Sequence, residues 1–500
     1  MKTKKLILLP LLSLVITSCA KEPSPVNKSL RSSDAPLSGS KTSVDGGNNA
    51  NKSSSLTDED ITDIYFSSSS SNTPVGINYP ITVNDLDGVE ELRSPSDLKH
   101  AFSYLGVSPS FITFRNKMQY FSNKLSDYFV KTYFEDDKNF VLSPLSIEMC
   151  LGLAIRSAEG ETRDEILAAF DMDYETFNAN YKLYFDYLFE DNKHSNGDII
   201  SQLLLTNSIW IDEGIALKNS GLDALRDDYY CYSYDVDFSE DNANANKAIS
   251  EFISRSTNGL LKPDLNLSPA TLFVLMNTLY FKSIWNDAGS NLPYAPAEYK
   301  FTNSDGSESD KRLLDGDYYQ GKPILTDDYS CFYTGLCGGY RLYFVKPNEG
   351  KELKEVFNED TMNYVLSNGS IVTFDDEKRE EYSTQCYFPE FSTNSEFDLI
   401  DALKEGFGIE SLFDYTCNMS PLTEGHVCVD ESKHLAKLDV NKKGVEGAAV
   451  TYMAMRDIGE MPDARQYTKI KYTFVVDKEF GFILTSGDDV LFSGVVNNID

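Results

Sequence analysis

The chain has 500 residues, of which 41% are hydrophobic and 12% aromatic, enough to bury a large core and to exclude a wholly disordered protein. Its 45 basic and 78 acidic residues give a net charge of −33, which repels phosphate backbones and excludes general nucleic-acid binding. A mean hydropathy of −0.34 excludes a polytopic membrane protein, and only four histidines argue against an imidazole-rich metal site.

The N-terminus has the pattern of a bacterial lipoprotein signal. Three lysines within the first five residues precede the apolar run Leu6–Ile16, which is too short to span a bilayer. Ser18 and Cys19 follow this run, and a small residue before such a cysteine resembles a lipobox, where the thiol takes a diacylglycerol. We predict removal of residues 1–18, lipidation of Cys19 and anchoring to a bacterial cell envelope, at the outer membrane and facing either the periplasm or the outside. An ordinary cleaved signal with a chance cysteine nearby is the alternative.

Residues 19–111 are predicted to form a lipidated tether and N-terminal extension. Residues 20 to about 75 are rich in Ser, Asn, Lys, Gly and Asp, a composition that buries too little apolar surface to order itself. Residues 76–111 are ambiguous, because their apolar patches are isolated. From about residue 112 the pattern is continuously globular, without a repeat or a clear linker, so residues 112–500 are predicted to form one large domain.

Helices and strands are mixed in this domain. Apolar residues at helical spacing predict a helix over 116–133, Ser143-Pro144 is typical of a helix start, and a short amphipathic helix is predicted over 397–403. Strands are predicted over 203–211, 271–281, 340–345, 467–476, 480–485 and 490–496. Because the two kinds of element do not alternate regularly, the predicted fold class is α+β rather than doubly wound α/β.

The sequence offers no enzyme or metal site. P-loop, GxGxxG, HExxH, EF-hand and GxSxG patterns are absent. Residues 335–339 have the outline of a nucleophile elbow around Cys337, but a strand rather than a helix follows them. His426 and His434 would lie about 26 Å apart on a straight strand, too far to share an ion with Cys428. We therefore expect no enzymatic activity, no cofactor and no metal.

Eight cysteines are present, and seven remain beside Cys19. An odd number leaves at least one thiol outside any disulfide, and no CxxC pair indicates zinc. Cys331 with Cys337, and Cys417 with Cys428, are candidate disulfides in an oxidising compartment. Buried thiols are the equal alternative.

The segment 444–459 carries an unusual alternation. At the strand period of two, one face holds only uncharged residues, most of them small or β-branched: Val445, Gly447, Ala449, Thr451, Met453 and Met455. The opposite face holds Glu446, Tyr452 and Arg456. Asp457 would be the first charge on the uncharged face, so a strand with this pattern ends near Met455 or Arg456. An ordinary hairpin strand followed by an exposed loop has the same local pattern.

Motifs in a fixed order along residues 112–500 resemble the serpin family. They are NFVLSPLSI at 139–147, GET at 160–162, TNSIW at 206–210, NTLYFKSIW at 277–285, FPEF at 388–391, His434 ten residues before Gly444, and the closing strands at 480–496. The resemblance implies the serpin fold, with a large, mainly antiparallel sheet, smaller sheets, about eight to nine helices and a mobile reactive loop at about 444–471.

The resemblance implies an irreversible suicide-substrate inhibitor of serine endopeptidases, with cysteine endopeptidases as a second class. The protease attacks the loop, forms an acyl-enzyme and is trapped when the cut loop inserts as an extra strand. The implied hinge comprises Gly444, Val445, Glu446, Gly447, Ala448 and Ala449. The implied shutter comprises Ser143, Ser146, Asn277 and His434, with His434 expected to hydrogen-bond Asn277 or Ser146. A non-inhibitory surface-binding protein on the same scaffold is the alternative.

The family's usual spacing from Gly444 puts the scissile bond between Ile458 and Gly459. The alternatives are Met455, Arg456 and Asp457. Ile458 suggests an elastase-like target, Met455 a chymotrypsin-like or elastase-like one, and Arg456 a trypsin-like one. The expected partners are this serine protease and, through the lipid anchor, a membrane, but no nucleic acid, and the protein is expected to be a monomer.

Three positions depart from the family pattern. Lys442 stands where Glu is usual, Gly447 where Ala is usual, and Ser283 where Gly is frequent. Glycine at 447 fits sterically but orders at a cost of about 0.5–1 kcal/mol.

Overall fold

The computed structural model of the chain describes residues 81–95, 108–194, 197–286, 291–368, 372–429, 431–446 and 467–499. Within these ranges no helix combines the length and the apolar character that crossing a membrane requires. The predicted signal peptide, the lipidation site Cys19 and the Ser/Asn-rich tether lie outside the described residues.

Most helices lie in the first half of the folded part. They are α1 (Pro109–Tyr133), α2 (Pro144–Ser157), α3 (Glu161–Ala169), α4 (Tyr174–Leu188), α5 (Asn219–Tyr229), α6 (Asn242–Ser256), α7 (Leu353–Val356) and α8 (Glu359–Ser367). Ser108 and Ser143 cap α1 and α2, since each side chain accepts a hydrogen bond from the first turn and a proline follows. The predicted helix start at Ser143-Pro144 is therefore confirmed, and nearly every residue of α2 is buried.

The strands are short except for two long ones. They are β1 (Val89–Arg93), β2 (Phe140–Leu142), β3 (Glu190–Lys193), β4 (Ile199–Asp212), β5 (Cys231–Val236), β6 (Phe273–Ile284), β7 (Lys300–Thr302), β8 (Glu308–Arg312), β9 (Leu314–Gln320), β10 (Ile324–Leu325), β11 (Tyr329–Gly335), β12 (Tyr340–Pro347), β13 (Phe374–Asp375), β14 (Glu380–Phe388), β15 (Phe391–Asp398), β16 (Lys433–Asn441), β17 (Gly444–Val445), β18 (Thr468–Val475), β19 (Phe480–Ser486) and β20 (Asp489–Val496). The apolar runs that predicted strands at 203–211 and 271–281 lie within the long strands β4 and β6.

The largest sheet has eight strands in the order β1-β5-β4-β6-β17-β16-β15, with β3 also paired to β4. β4 and β6 form a long antiparallel ladder, and β15 and β16 pair along their whole length. Among the described strands, only the two residues of β17 connect these two blocks. The predicted α+β class with a large, mainly antiparallel sheet is confirmed.

Smaller sheets complete the fold. One has six strands in the order β10-β11-β12-β19-β20-β2, and another consists of β13-β14-β18 with β9 on β14. β7 and β8 form a separate hairpin. The main apolar core includes residues from α1, α2 and the six-stranded sheet, such as Phe121, Leu145, Phe344 and Leu484. Cys337–Gly339 is one helical turn between β11 and β12, so the outline of a nucleophile elbow there is a turn.

The helix predicted over 397–403 is confirmed from residue 400 onward, and its predicted start at Phe397 is wrong. β15 continues through Phe397 to Asp398, because the Phe397 backbone pairs with His434 and its ring packs on Phe129 in the core. The helical residues are 400–407, and Ala402–Gly406 among them forms a π-helical turn.

An edge strand comes from the N-terminal extension. β1 pairs antiparallel with β5, and Ile81 and Val83 are buried in a second apolar cluster that contains Trp210 and Phe252. The isolated apolar patches near residue 80 therefore pack on the large sheet, a long-range contact that local patterning does not predict.

Candidate functional site

The large sheet is open between β6 and β16. Among the strands that the structure describes, no ladder joins the two where Leu275–Leu279 faces Lys433–Asp439, and a cavity of about 110 Å³ lies there. Its floor includes Ser146 and Ile147 of α2 and Phe492 of β20. Because both bordering strands are in place, the cleft has the length and direction of one further strand.

β17 closes one end of this cleft. Gly444 pairs with Ile284 on β6 and Asn441 on β16, and Val445 pairs with Ser283 and Val440. A Cβ atom on Gly444 would lie 2.2 Å from the Ser283 carbonyl oxygen, so no side chain fits there. The first two hinge residues predicted from the sequence thus already form a two-residue strand in the gap.

Glu446 has a strained backbone and is half-buried beside β17. Its φ is 51°, a left-handed conformation that costs a residue other than glycine about 1–2 kcal/mol. Its N–H donates to Asp439 O at 2.8 Å. Burial raises the pKa of its carboxyl to about 7, while the Lys282 ammonium and the Tyr280 hydroxyl favour the ionised form. Carboxylate oxygen Oε2 is buried without a hydrogen bond in the described structure.

His434 connects β16 to the start of α2. Its Nε2 accepts a hydrogen bond from the Ser143 N–H at 3.0 Å. Burial lowers the pKa of the imidazole to about 4, so the ring is neutral at physiological pH and can act as an acceptor. The partner is the Ser143 backbone, whereas the sequence led us to expect Asn277 or Ser146.

Ser143 and Ser146 link the other strands to the same helix start. Ser143 Oγ donates to Leu491 O at 2.8 Å and accepts from the Ser146 N–H at 3.3 Å. Ser146 Oγ donates to Asn277 O on β6 at 3.3 Å. The N-terminal turn of α2 therefore bonds to β16 on one side of the cleft and to β6 on the other.

Asn277 extends this network away from the cleft. Its Nδ2 donates to Asn207 Oδ1 at 2.9 Å, and Asn207 Nδ2 donates to Tyr229 O at 2.7 Å. Asn277 Oδ1 is buried and has no hydrogen-bond partner in the described structure. An unsatisfied buried acceptor costs about 1–3 kcal/mol, so the hydrogen-bonding groups of this network are not all satisfied in the described structure.

The four shutter residues predicted from the sequence thus lie together beneath the cleft, and the first three hinge residues lie at its end. The remaining predicted residues lie outside the described part of the chain: Gly447, Ala448, Ala449, Met455, Arg456, Asp457, Ile458 and Gly459.

Three residues near the site were not predicted from sequence patterns: Asn207, Tyr280 and Lys282. Asn207 and Lys282 are buried polar residues within the apolar runs of β4 and β6, and that interruption was the available signal. Ser283, a departure from the family pattern, is fully buried, and its hydroxyl donates to Cys337 O at 2.9 Å.

Comparisons with known proteins agree on one family. The family model described as serpin (serine protease inhibitor) matches residues 116–499. Serpin-ZX of Arabidopsis thaliana is 24% identical over 393 residues, covering 73% of this chain and 94% of the relative.

Two solved structures share the fold. Serpin48 of the insect Tenebrio molitor, described as a highly specific serpin, superposes with a TM-score of 0.63 at 21% identity, over 79% of this chain and 100% of that one. Human thyroxine-binding globulin in complex with thyroxine does so with a TM-score of 0.61 at 19% identity, over 77% and 99% of the two chains.

Proposed function

The chain belongs to the serpin family, and we propose that it is an irreversible suicide-substrate inhibitor of serine endopeptidases. Members of this family are generally protease inhibitors rather than catalysts. The observation that carries the proposal is the open cleft between β6 and β16 with Gly444 and Val445 at one end.

An extra strand in this cleft would complete the sheet. β6 and β16 each present a strand edge to the gap, and a strand inserted between two edges forms hydrogen-bond ladders on both sides. The loop that would insert follows directly from β17. Cleavage of that loop by a protease would free its end, and insertion would carry the covalently attached protease away before deacylation.

The floor of the cleft suits the uncharged face of the 445–455 alternation. Ile147, Phe492 and the neutral His434 line it. Burying an unpaired charge against such a surface would cost several kcal/mol. Small uncharged residues at every second position are what this surface accepts.

A protease panel tests the proposal. The protein is incubated with elastase-like, chymotrypsin-like and trypsin-like serine proteases and with a cysteine protease, then analysed on denaturing gels. An inhibitor gives a covalent complex with at least one of them and a stoichiometry near one. Cleavage of the loop by every enzyme, with full recovery of protease activity, would contradict the proposal.

Val445→Arg is the matched variant for the insertion step. Val445 is fully buried between the two strands, so an arginine there would bring a charge into the gap, whereas Lys443 next to it is exposed. We expect Val445→Arg to be cleaved at the same bond but to release active protease. Lys443→Arg is the control and should still form the complex.

The scissile bond is proposed to be Ile458–Gly459, with an elastase-like target. Cleavage after Met455 would favour a chymotrypsin-like or elastase-like enzyme, and cleavage after Arg456 a trypsin-like one. Mass spectrometry of the C-terminal peptide released from the complex identifies the bond directly. A peptide beginning at Gly459 supports the assignment, and one beginning at Met461 or later would overturn it.

We also propose that Cys19 anchors the protein to a bacterial envelope by a lipid. The support is the basic head, the short apolar run and the small residue before Cys19. Expression in a bacterial host with a labelled fatty acid should label the protein, and Cys19→Ala should abolish labelling and release the protein from membranes. Labelling that survives Cys19→Ala would refute this site.

A non-inhibitory binding protein is the second candidate. Lys442 and Gly447 depart from the family pattern in the hinge, and one structural neighbour is a globulin in complex with thyroxine. Under this alternative the loop would be cut without complex formation, and Val445→Arg would change nothing in the protease assay.

A further inference from the structure

The segment between β15 and β16 brings two cysteines together. The Cys417 N–H donates to Asp414 O at 3.1 Å, and Cys428 Sγ donates to the same oxygen at 2.9 Å. The backbone nitrogen of Cys417 and the Sγ atom of Cys428 therefore lie no farther apart than the sum of these two distances. The Val429 N–H also donates to Leu412 O at 3.2 Å, which holds the two parts of the segment side by side.

The two thiols differ in accessibility. Cys417 is 1% exposed, and burial together with hydrogen bonding to the neighbouring Cys428 thiol raises its pKa to about 12. Cys428 is half-buried, and the Nε2 atom of the exposed His426 lies 3.8 Å from its Sγ. The thiolate is the reactive form of a cysteine, and a reagent can reach only a thiol that is at least partly exposed. Cys428 is therefore the sulfur that a reagent meets first.

We propose that Cys417 and Cys428 form a reversible dithiol–disulfide site that is oxidised by small disulfides of the glutathione class. The Cys428 thiolate attacks one sulfur of the external disulfide and expels one thiolate, which leaves a mixed disulfide. Cys417 then loses its proton to solvent and attacks Cys428 Sγ, expelling the second thiolate. Two cysteine thiols are oxidised and one external disulfide is reduced to two thiols.

The disulfide would restrain the approach to the cleft. The Cys417 end of the segment is fixed to the start of α3, because Asn418 N–H donates to Thr162 Oγ1 at 3.0 Å and Glu159 N–H donates to Asn418 O at 2.9 Å. The Cys428 end leads into β16, which forms one wall of the cleft. Closing the loop from 417 to 428 would therefore tie β16 to a fixed point of the structure. The site stands independently of protease inhibition.

Oxidation of the full chain with glutathione disulfide at pH 8 tests the proposal. We expect a mass loss of two hydrogens, a single 417–428 crosslink in the peptide map, full reversal by dithiothreitol, and a melting midpoint a few degrees higher in the oxidised form. Alkylation of Cys428 by iodoacetamide should fall at least tenfold after oxidation.

Substitutions separate this pair from the other cysteines. Cys428→Ser should abolish the mass loss, and Cys417→Ser should stop the reaction at a stable glutathione adduct on Cys428. Cys337→Ser, at another partly exposed cysteine, is the control and should leave the crosslink intact. A stable adduct on Cys428 in the unsubstituted chain, a crosslink between other cysteines, or equal melting midpoints of the two forms would overturn the proposal. These readouts need no protease, so failure of the inhibitor proposal would not affect them.

Discussion

Burial of His434 favours the neutral form of its imidazole ring. In the folded chain its pKa is about 4, below the ordinary value of 6.5, because burial disfavours the cation. Between these two values the unfolded chain binds more protons than the folded one, so the free energy of unfolding falls as the pH drops from about 6.5 towards 4.

Removing His434 should weaken the shutter at neutral pH and flatten its acid response. His434→Ala leaves the buried Ser143 N–H without its acceptor, a loss of about 1–3 kcal/mol. Denaturant unfolding between pH 4 and 8 measures both effects, with His426→Ala at an exposed histidine as the control. An acid response equal to that of the unsubstituted chain would show that other groups cause it.

Glu446 should give the opposite pH response at the hinge. The pKa of the Glu446 carboxyl is about 7 in the folded chain, above the ordinary value of 4.5. The folded position of Glu446 is therefore favoured at low pH and loses stability as the pH rises through 7. The groups around it are Tyr280, Lys282, Asp439 and Lys437. Hydrogen exchange of the Glu446 amide should therefore quicken from pH 5.5 to 8 by more than the intrinsic rate.

Glu446→Gln is the test of that assignment, because an amide of the same shape has no charge to bury. Its excess exchange should be nearly independent of pH. Lys443→Gln, at the exposed neighbour, should leave the pH response unchanged.

At the scale of elements, the segment 81–93, which ends in β1, stabilises the edge of the large sheet. Ile81 and Val83 are buried against the cluster of Trp210 and Phe252, and Arg255 of α6 donates to Thr82 O at 2.6 Å and pairs with Asp85. Burial of two such aliphatic side chains contributes about 1.5–3 kcal/mol each.

A truncated chain that begins at residue 96 should have a melting midpoint several degrees lower, and its Trp210 fluorescence should shift towards longer wavelength. Truncation to residue 80 retains β1 and is the control. If the two truncated chains melt together, the segment that contains Ile81, Val83 and β1 contributes no stability.

Sequence patterns predicted the elements whose environment is local or uniform. Ser143-Pro144 predicted α2, because a helix cap and a proline act within one turn. The apolar runs at 203–211 and 271–281 predicted strands that lie within β4 and β6, but residues 274–277 of β6 are only half-buried. β1 and the end of β15 were not predicted from the sequence, because each depends on pairing with residues far away in the chain. The half-buried position of Glu446 was not predicted for the same reason, because Tyr280 and Lys282 beside it lie on β6.

The whole molecule offers the most direct test of strand insertion. If the cut loop fills the cleft, the cleaved protein should melt far above the intact one, because the sheet then has no gap between β6 and β16. Thermal unfolding before and after cleavage by a protease that is not inhibited measures this. Cleaved Val445→Arg is the control and should show a much smaller rise.

The pairing of Gly444 and Val445 on both sides also bears on how quickly such a conversion would begin. The first step of forming a strand ladder is the least favourable one, because several backbone angles are fixed while few hydrogen bonds form. Each later residue is added to an existing end of the ladder. In this protein that nucleus exists before any bond is cut. The existing pairs would also fix the register of the inserting strand. A shift by one residue would turn Glu446, Tyr452 and Arg456 towards the apolar interior. The rate at which the protease is trapped would then depend on how fast the ladder propagates and not on how fast it nucleates.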